Sequence, residues 1–166
     1  LEGHLTENFG LLGSFSRKDS TIPTRVFSVA NQTDTANAAQ VQTRRIDNYF
    51  LKAAWQINED WKLDVSVTHA PETAETFGPN AILSGREMTA GGDSVSARMV
   101  WNAPLARVEQ NISWSQMNTS RTSDSDYMVF WRASTSKNWS NLAMATEGGF
   151  GDIEEAQKTL AYKLKA

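Results

Sequence analysis

The sequence predicts an all-β fold: an antiparallel up-and-down meander of about six strands, built as part of a transmembrane β-barrel, with long loops on one side and short turns on the other. Three observations predict it. Apolar and polar residues alternate at period two through segment after segment, the spacing of a strand. The connections alternate between very short and long polar stretches. Tryptophans stand beside the short turns.

Composition narrows the field first. The chain has 166 residues, a net charge of -3 and no cysteine. Nothing electrostatic suggests nucleic acid, and neither a disulfide framework nor a thiolate metal site is possible. No apolar run approaches the roughly 20 residues of a spanning helix. A mean hydropathy of -0.46 is compatible with barrel strands, which are only half apolar. Leu1 is not an initiator Met, and the final "TLAYKLKA" stops while its alternation is still running, so the expectation is a piece of a longer protein.

The elements follow in order. Near 4–17, Leu5, Phe9, Leu11 and Phe15 alternate with Thr6, Asn8, Ser14 and Ser16. Near 44–58, Tyr49, Leu51, Ala53, Trp55 and Ile57 share one face, and Asn48, Phe50, Lys52, Ala54 and Gln56 the other. After the turn "NED", the strand near 61–73 sets Trp61, Leu63, Val65 and Val67 against Lys62, Asp64, Ser66 and Thr68. The pair is a β-hairpin. A second hairpin joins 93–103 to 106–118 through "NAPLA". It sets Val95, Ala97, Met99 and Trp101 against Ser94, Ser96 and Arg98, then Val108, Ile112 and Trp114 against Arg107, Glu109, Asn111 and Ser113. The last strand, near 157–166, alternates Leu160, Tyr162 and Leu164 with Thr159, Lys163 and Lys165. "DIEEAQKTLAYKL" also fits a helix, because Asp152 and Glu155 have capping-box spacing. The clean alternation of "TLAYKLK" favours a strand. "DYMVFWRAS" reads as a short strand inside the last long connection.

Long polar connections cover about 18–43, 78–92 and 119–153. Tight turns at one end and long loops at the other is the asymmetry of outer-membrane barrels. The faces agree with it. Lys52, Lys62, Asp64, Arg98, Arg107 and Glu109 lie among Ser and Thr on the polar face, a mixture suited to a wet lumen. Trp55, Trp61 and Trp101 beside the turns suit a membrane–water boundary. A soluble all-β binding module, on a sandwich or small barrel with ordinary core tryptophans, is the competing reading.

At the level of phrase, "NYFLKAAWQINEDWKLDVSVTHAPETAETF", "SVSARMVWN", "ISWSQMNTSRTSDSDYMVFWRASTSKNWSN" and "GGFGDIEEAQKTLAYKLKA" resemble the middle of the barrel of TonB-dependent outer-membrane receptors. "GSFSRKDSTIP" is similar to the upper end of an earlier strand. The resemblance implies a bacterial outer-membrane location, a barrel of about 22 strands, a plug domain inside it, and import of a scarce ligand such as a ferric siderophore with energy delivered through TonB. It implies outer-membrane lipid, plug, TonB and ligand as partners, with no cofactor of its own. The chain departs from the family in having no plug sequence, no TonB box and no terminal aromatic, since it ends at Ala166. Six strands cannot close such a barrel.

Chemistry is thin. His69 falls on the apolar face after Val67 and reads as an interfacial histidine, without a serine partner for hydrolysis. Asp124 and Asp126 in "TSDSDY" read as a solvated loop in preference to a cation site. "NQT", "NIS", "NTS" and "NWS" match the glycosylation pattern, but Asn111 lies within an expected strand. No enzymatic activity is expected. The candidate ligand contacts are in the third long loop: Tyr127, Phe130, Trp131, Arg132 and Trp139, with Lys137 nearby. Rings beside cations suit an anionic, partly aromatic chelate, and packing of the loop against its neighbours is the plainer role.

Overall fold

The structure, a computed structural model, describes residues 2–28, 38–137, 139 and 143–166. Among the described residues there are ten strands: β1 (Glu2–Thr6), β2 (Phe9–Arg25), β3 (Ala39–Gln56), β4 (Trp61–Phe77), β5 (Ala81–Ile82), β6 (Gly85–Ala103), β7 (Ala106–Ser123), β8 (Met128–Arg132), β9 (Met144–Gly148) and β10 (Ile153–Lys165). Seven form one sheet in the order β1-β2-β3-β4-β6-β7-β10, each beside its neighbour in sequence and antiparallel to it. A Greek-key sandwich would require crossings, and this sheet has none. The all-β meander read from the sequence is the observed fold.

Three corrections concern its bounds. The single strand expected near 4–17 is a hairpin, β1 and β2, turning at Glu7 and Asn8. The expected strand bounds are too narrow, since β2, β3, β4, β6 and β7 run 17 to 19 residues. The excess lies at the loop end, where both faces are polar and alternation no longer marks a strand. Consequently the connection expected at 78–92 shrinks to 78–84, and the one at 119–153 to 124–152. The stretch from Ile153 onward is strand and not helix, paired with β7 from Ile153↔Arg121 to Lys165↔Glu109. "DYMVFWRAS" does contain a short strand, β8.

The register places the apolar side chains in rows across the sheet. One row runs Trp61–Trp101–Val108, the next Phe9–Trp55–Leu63–Met99–Gln110–Leu164. Above these come Leu11–Ala53–Val65–Ala97–Ile112–Tyr162 and Gly13–Leu51–Val67–Val95–Trp114–Leu160. The fifth row, Phe15–Tyr49–His69–Asp93–Gln116–Lys158, is already mixed. Beyond it the same face is polar, with Arg17 bridging Asp47 at 2.7 Å and Arg45 bridging Asp19 at 2.8 Å. Eight residues along β4 separate Trp61 from His69, about 27 Å of strand and roughly 21 Å of height at a tilt near 40°. That is close to the apolar band of about 25 Å on outer-membrane barrels.

Among the described residues, no second layer covers this face. Leu51 is 52% exposed and Ile112 50%. The dry core lies in the loops: Phe27, Ala38, Ile82, Trp139 and Ala145 form it. Among the described residues, Val100 is the one buried apolar side chain within the seven-stranded sheet. The loops also form a small sheet, β5-β9-β8, tied to the end of β2 by a bridge between Val26 and Ala81. No helix is long and apolar enough to cross a membrane among the described residues.

Local chemistry explains the turn end. The Asn58 side chain accepts hydrogen bonds from the N–H groups of Asp60 (3.0 Å) and Trp61 (2.9 Å), closing the turn between β3 and β4. At the upper edge of the apolar band, Pro71 of β4 faces Gly91 of β6. A Cβ on Gly91, whose φ is +123°, would run into the Ala70 carbonyl, and one on Gly92 into the Gln116 carbonyl. Only glycines allow the strands to approach so closely there.

Candidate functional site: the polar wall and the loop cap

Opposite the apolar rows, the register puts Lys52, Lys62, Asp64, Arg98, Arg107 and Glu109 on a single face. Cross-strand neighbours in a sheet interact directly, and near the turn end they form a charged ladder. The Arg98 fork donates to both Glu109 oxygens, at 2.9 and 2.8 Å. Glu109 also accepts from the Asn111 amide at 3.5 Å. Arg98 pairs in register with Asp64, which lies 3.7 Å from Lys62 Nζ. Arg107 and Lys165 flank Glu109 around a shallow hollow. Lys52 stands higher, in the row of Ser66, Ser96 and Ser113, where Ser66 and Ser96 share a 2.7 Å hydrogen bond. Alternating charges and hydroxyls give this wall many directed donors and acceptors, with Val100 buried among them in register with Lys62 and Glu109.

The loop end carries a second constellation. Glu147 of β9 accepts from Tyr127 Oη at 2.9 Å, Trp131 Nε1 at 2.6 Å and Lys137 Nζ at 2.9 Å. The Lys137 ammonium also lies 3.9 Å from the centre of the Trp131 ring. The Lys137 hydrogen bond, with those of Tyr127 and Trp131, holds the Glu147 carboxyl below the usual carboxylate range against the opposing effect of partial burial. The same contact pushes the Tyr127 hydroxyl above its ordinary value, helped by partial burial and the charges of Glu147 and Asp126.

The five loop candidates therefore separate. Tyr127 and Trp131 are fastened to Glu147, and Trp139 has no exposed surface, being packed in the loop core. Trp139 thus holds the loops together and presents nothing outward. Phe130, 63% exposed, and Arg132 stand free on β8. Glu147 was not legible as a hub from sequence, since its partners lie 10 to 20 residues away in an irregular loop.

The remaining motifs resolve simply. His69 Nδ1 lies 2.6 Å from Asp93 on the outer face, at the top of the apolar band, with its ring against Tyr49. Asp124 accepts from the Gly85 N–H at 2.9 Å. No group of three or more His, Asp or Glu side chains suited to a metal occurs among the described residues. Asn111 and Asn118 both lie within β7, and the sites at Asn31 and Asn138 fall outside the described residues.

No family model matches the chain, and no curated protein matches it. Among solved structures it is similar to the outer membrane transporter YddB from Escherichia coli, with a TM-score of 0.74 and 20% identity over 99% of this chain and 21% of that one. The chain thus spans about a fifth of that transporter's length. At this identity the likeness concerns the fold: a run of neighbouring barrel strands with their loops.

Proposed function

We propose that the chain is a stretch of barrel wall, with its outward loops, from a TonB-dependent outer-membrane receptor that imports a scarce ligand such as a ferric siderophore. The observation that supports this best is the uncovered apolar band. Four rows of greasy side chains face away from a charged, hydroxyl-rich face, with tight turns below and mutually packed loops above. Water on that band would leave a very large apolar patch exposed, which soluble monomers avoid. Hydrocarbon removes the difficulty.

In this reading Lys52, Lys62, Asp64, Arg98, Arg107 and Glu109 face the lumen and a plug domain of the parent protein, and outer-membrane lipid covers Leu51, Val65, Met99 and Ile112. Phe130 and Arg132 are the loop side chains free to meet ligand. TonB acts through a region outside this chain, and no covalent chemistry is involved. The test is uptake of labelled ferric chelates by cells that carry the complete protein, with and without TonB. Uptake that needs both supports the reading. Uptake indifferent to the complete protein or to TonB for every chelate refutes it.

A further inference from the structure

High on the polar face, Arg86 of β6 and Arg121 of β7 are diagonal neighbours, because Arg86 pairs with Ser123 and Met88 with Arg121. Neither guanidinium forms an ion pair with a carboxylate among the described residues. Each is occupied instead by backbone carbonyls of one short arch, residues 148–151. Arg86 Nε donates to the Gly149 carbonyl at 3.0 Å. Arg121 donates to the Gly151 carbonyl at 3.3 and 3.2 Å and to the Phe150 carbonyl at 3.4 Å. Three oxygens thus converge on two cationic forks, the pattern that a carboxylate or phosphate would offer with full charge and better geometry.

Two further features mark the place. Ser123 Oγ, in register with Arg86, is buried and has no hydrogen-bond partner. An orphaned hydroxyl is costly unless something intermittently satisfies it. The arch runs through left-handed backbone: Gly148 and Gly151 adopt positive φ freely as glycines, but Phe150 is strained, holding φ +76° while 60% exposed. A bulky residue there is disfavoured, and strain of this kind gathers at clamps and switches. Its ring lies 5.8 Å from the Arg86 guanidinium.

We propose that Arg86, Arg121 and Ser123 form a binding site for a multi-oxygen anion, a carboxylate or phosphate group of a passing solute, and that the 148–151 arch is a built-in competitor that vacates it. The site rests on the reading of this face as a lumen. A charged oxyanion exchanges weak neutral carbonyl contacts for charge-assisted ones, and the arch, relieved of its strained hold, swings outward. Asp124 and Asp152 do not fill the site, since their carboxylates accept from the Gly85 and Ser123 N–H groups.

The test is titration of the complete barrel protein in detergent, at constant ionic strength, with citrate and separately with inorganic phosphate. R86Q and R121Q should each weaken binding of whichever anion the wild type takes by about tenfold. R86K, which keeps the charge but not the fork, should fall between. A Cβ on Gly148 would meet the Tyr127 carbonyl, so G148A should dislodge the arch and tighten binding severalfold. If G148A does not fold, G151A serves, because Gly151 holds φ +75° and its Cβ would press on Asp126, outside the site. A wild type that binds neither anion, or arginine variants that bind as it does, overturns the site. An arch variant that folds but binds no tighter overturns the competitor. Arginine-dependent binding in a protein that imports nothing leaves the site standing and removes the transport reading.

Discussion

Ile112→Arg separates lipid from water on the apolar face. Ile112 lies four residues along β7 from Val108, in the row of Trp61 and Trp101, and four from Gln116, in the row of His69 and Asp93. It is therefore about 10 Å below the upper edge of the band and about 10 Å above the lower one, given about 3.4 Å per residue and a tilt near 40°. An arginine at the midplane of an outer-membrane barrel costs about 2–4 kcal/mol, and near the interface about 0–1 kcal/mol. In water, a residue already 50% exposed could be replaced for about 0.5 kcal/mol or less. Two controls fix the interpretation. Ser113→Arg places the same charge at the same depth on the polar face, and Thr73→Arg places it on the apolar side four residues beyond His69, above the band. The assay is reversible urea unfolding of the complete barrel protein from lipid vesicles. The expected order is a large loss for I112R and small ones for S113R and T73R. Equal losses for I112R and S113R would refute the claim that hydrocarbon covers this face.

Three further outcomes follow from named contacts. Trp61 and Trp101 stack with ring centres 5.3 Å apart and planes 11° from parallel, so a double-mutant cycle to alanine should return a coupling of about 0.5–1.5 kcal/mol. Trp139→Ala removes the largest buried side chain of the loop core and should cost the cap about 3–5 kcal/mol, seen as faster protease cleavage in the loops while the strands stay protected from hydrogen exchange. The Glu147 carboxyl is held low in the folded state, so its contribution is complete above the unfolded value of about 4.5 and is lost as pH falls through the folded one. Trp131 fluorescence should change only in that acid window, and E147Q should bring the change to neutral pH while returning the Tyr127 ultraviolet titration toward its ordinary range.

Legibility in the sequence followed burial on one side. Where a strand has one apolar and one polar face, as Leu63–Val67 does against Lys62–Thr68, alternation reveals the element and the shared face of all six charged wall residues. Where both faces are wet, the signal disappears. Met88, Ala90 and Thr89 belong to a regular strand as surely as Val95 does, yet they read as loop, and Arg86 and Arg121 were lost with them. The hairpin at Glu7–Asn8 was missed for a related reason: its turn breaks the chain's direction without interrupting the period of two. The loop cap was illegible because its contacts join residues far apart, as when Phe27, Ile82 and Trp139 meet, and no local pattern encodes such a meeting.

The wall and the cap are held together by different forces. The wall strands are joined by continuous ladders, with 17 successive register pairs between β2 and β3 and 17 between β4 and β6, but they contain almost no buried apolar side chain. Backbone hydrogen bonds contribute modestly when water competes for the same groups and far more when it cannot. On the proposed reading the wall depends on hydrocarbon to exclude water, whereas the cap carries its own dry core and the Glu147 clasp. Two unfolding units are expected: a cap sensitive to Trp139 and to acid, and a wall sensitive to charge at the depth of Ile112. Removing lipid should release the wall first and leave the cap's tryptophan packing to be lost in a separate step. A single cooperative transition in which I112R and W139A shift both probes together would contradict that separation.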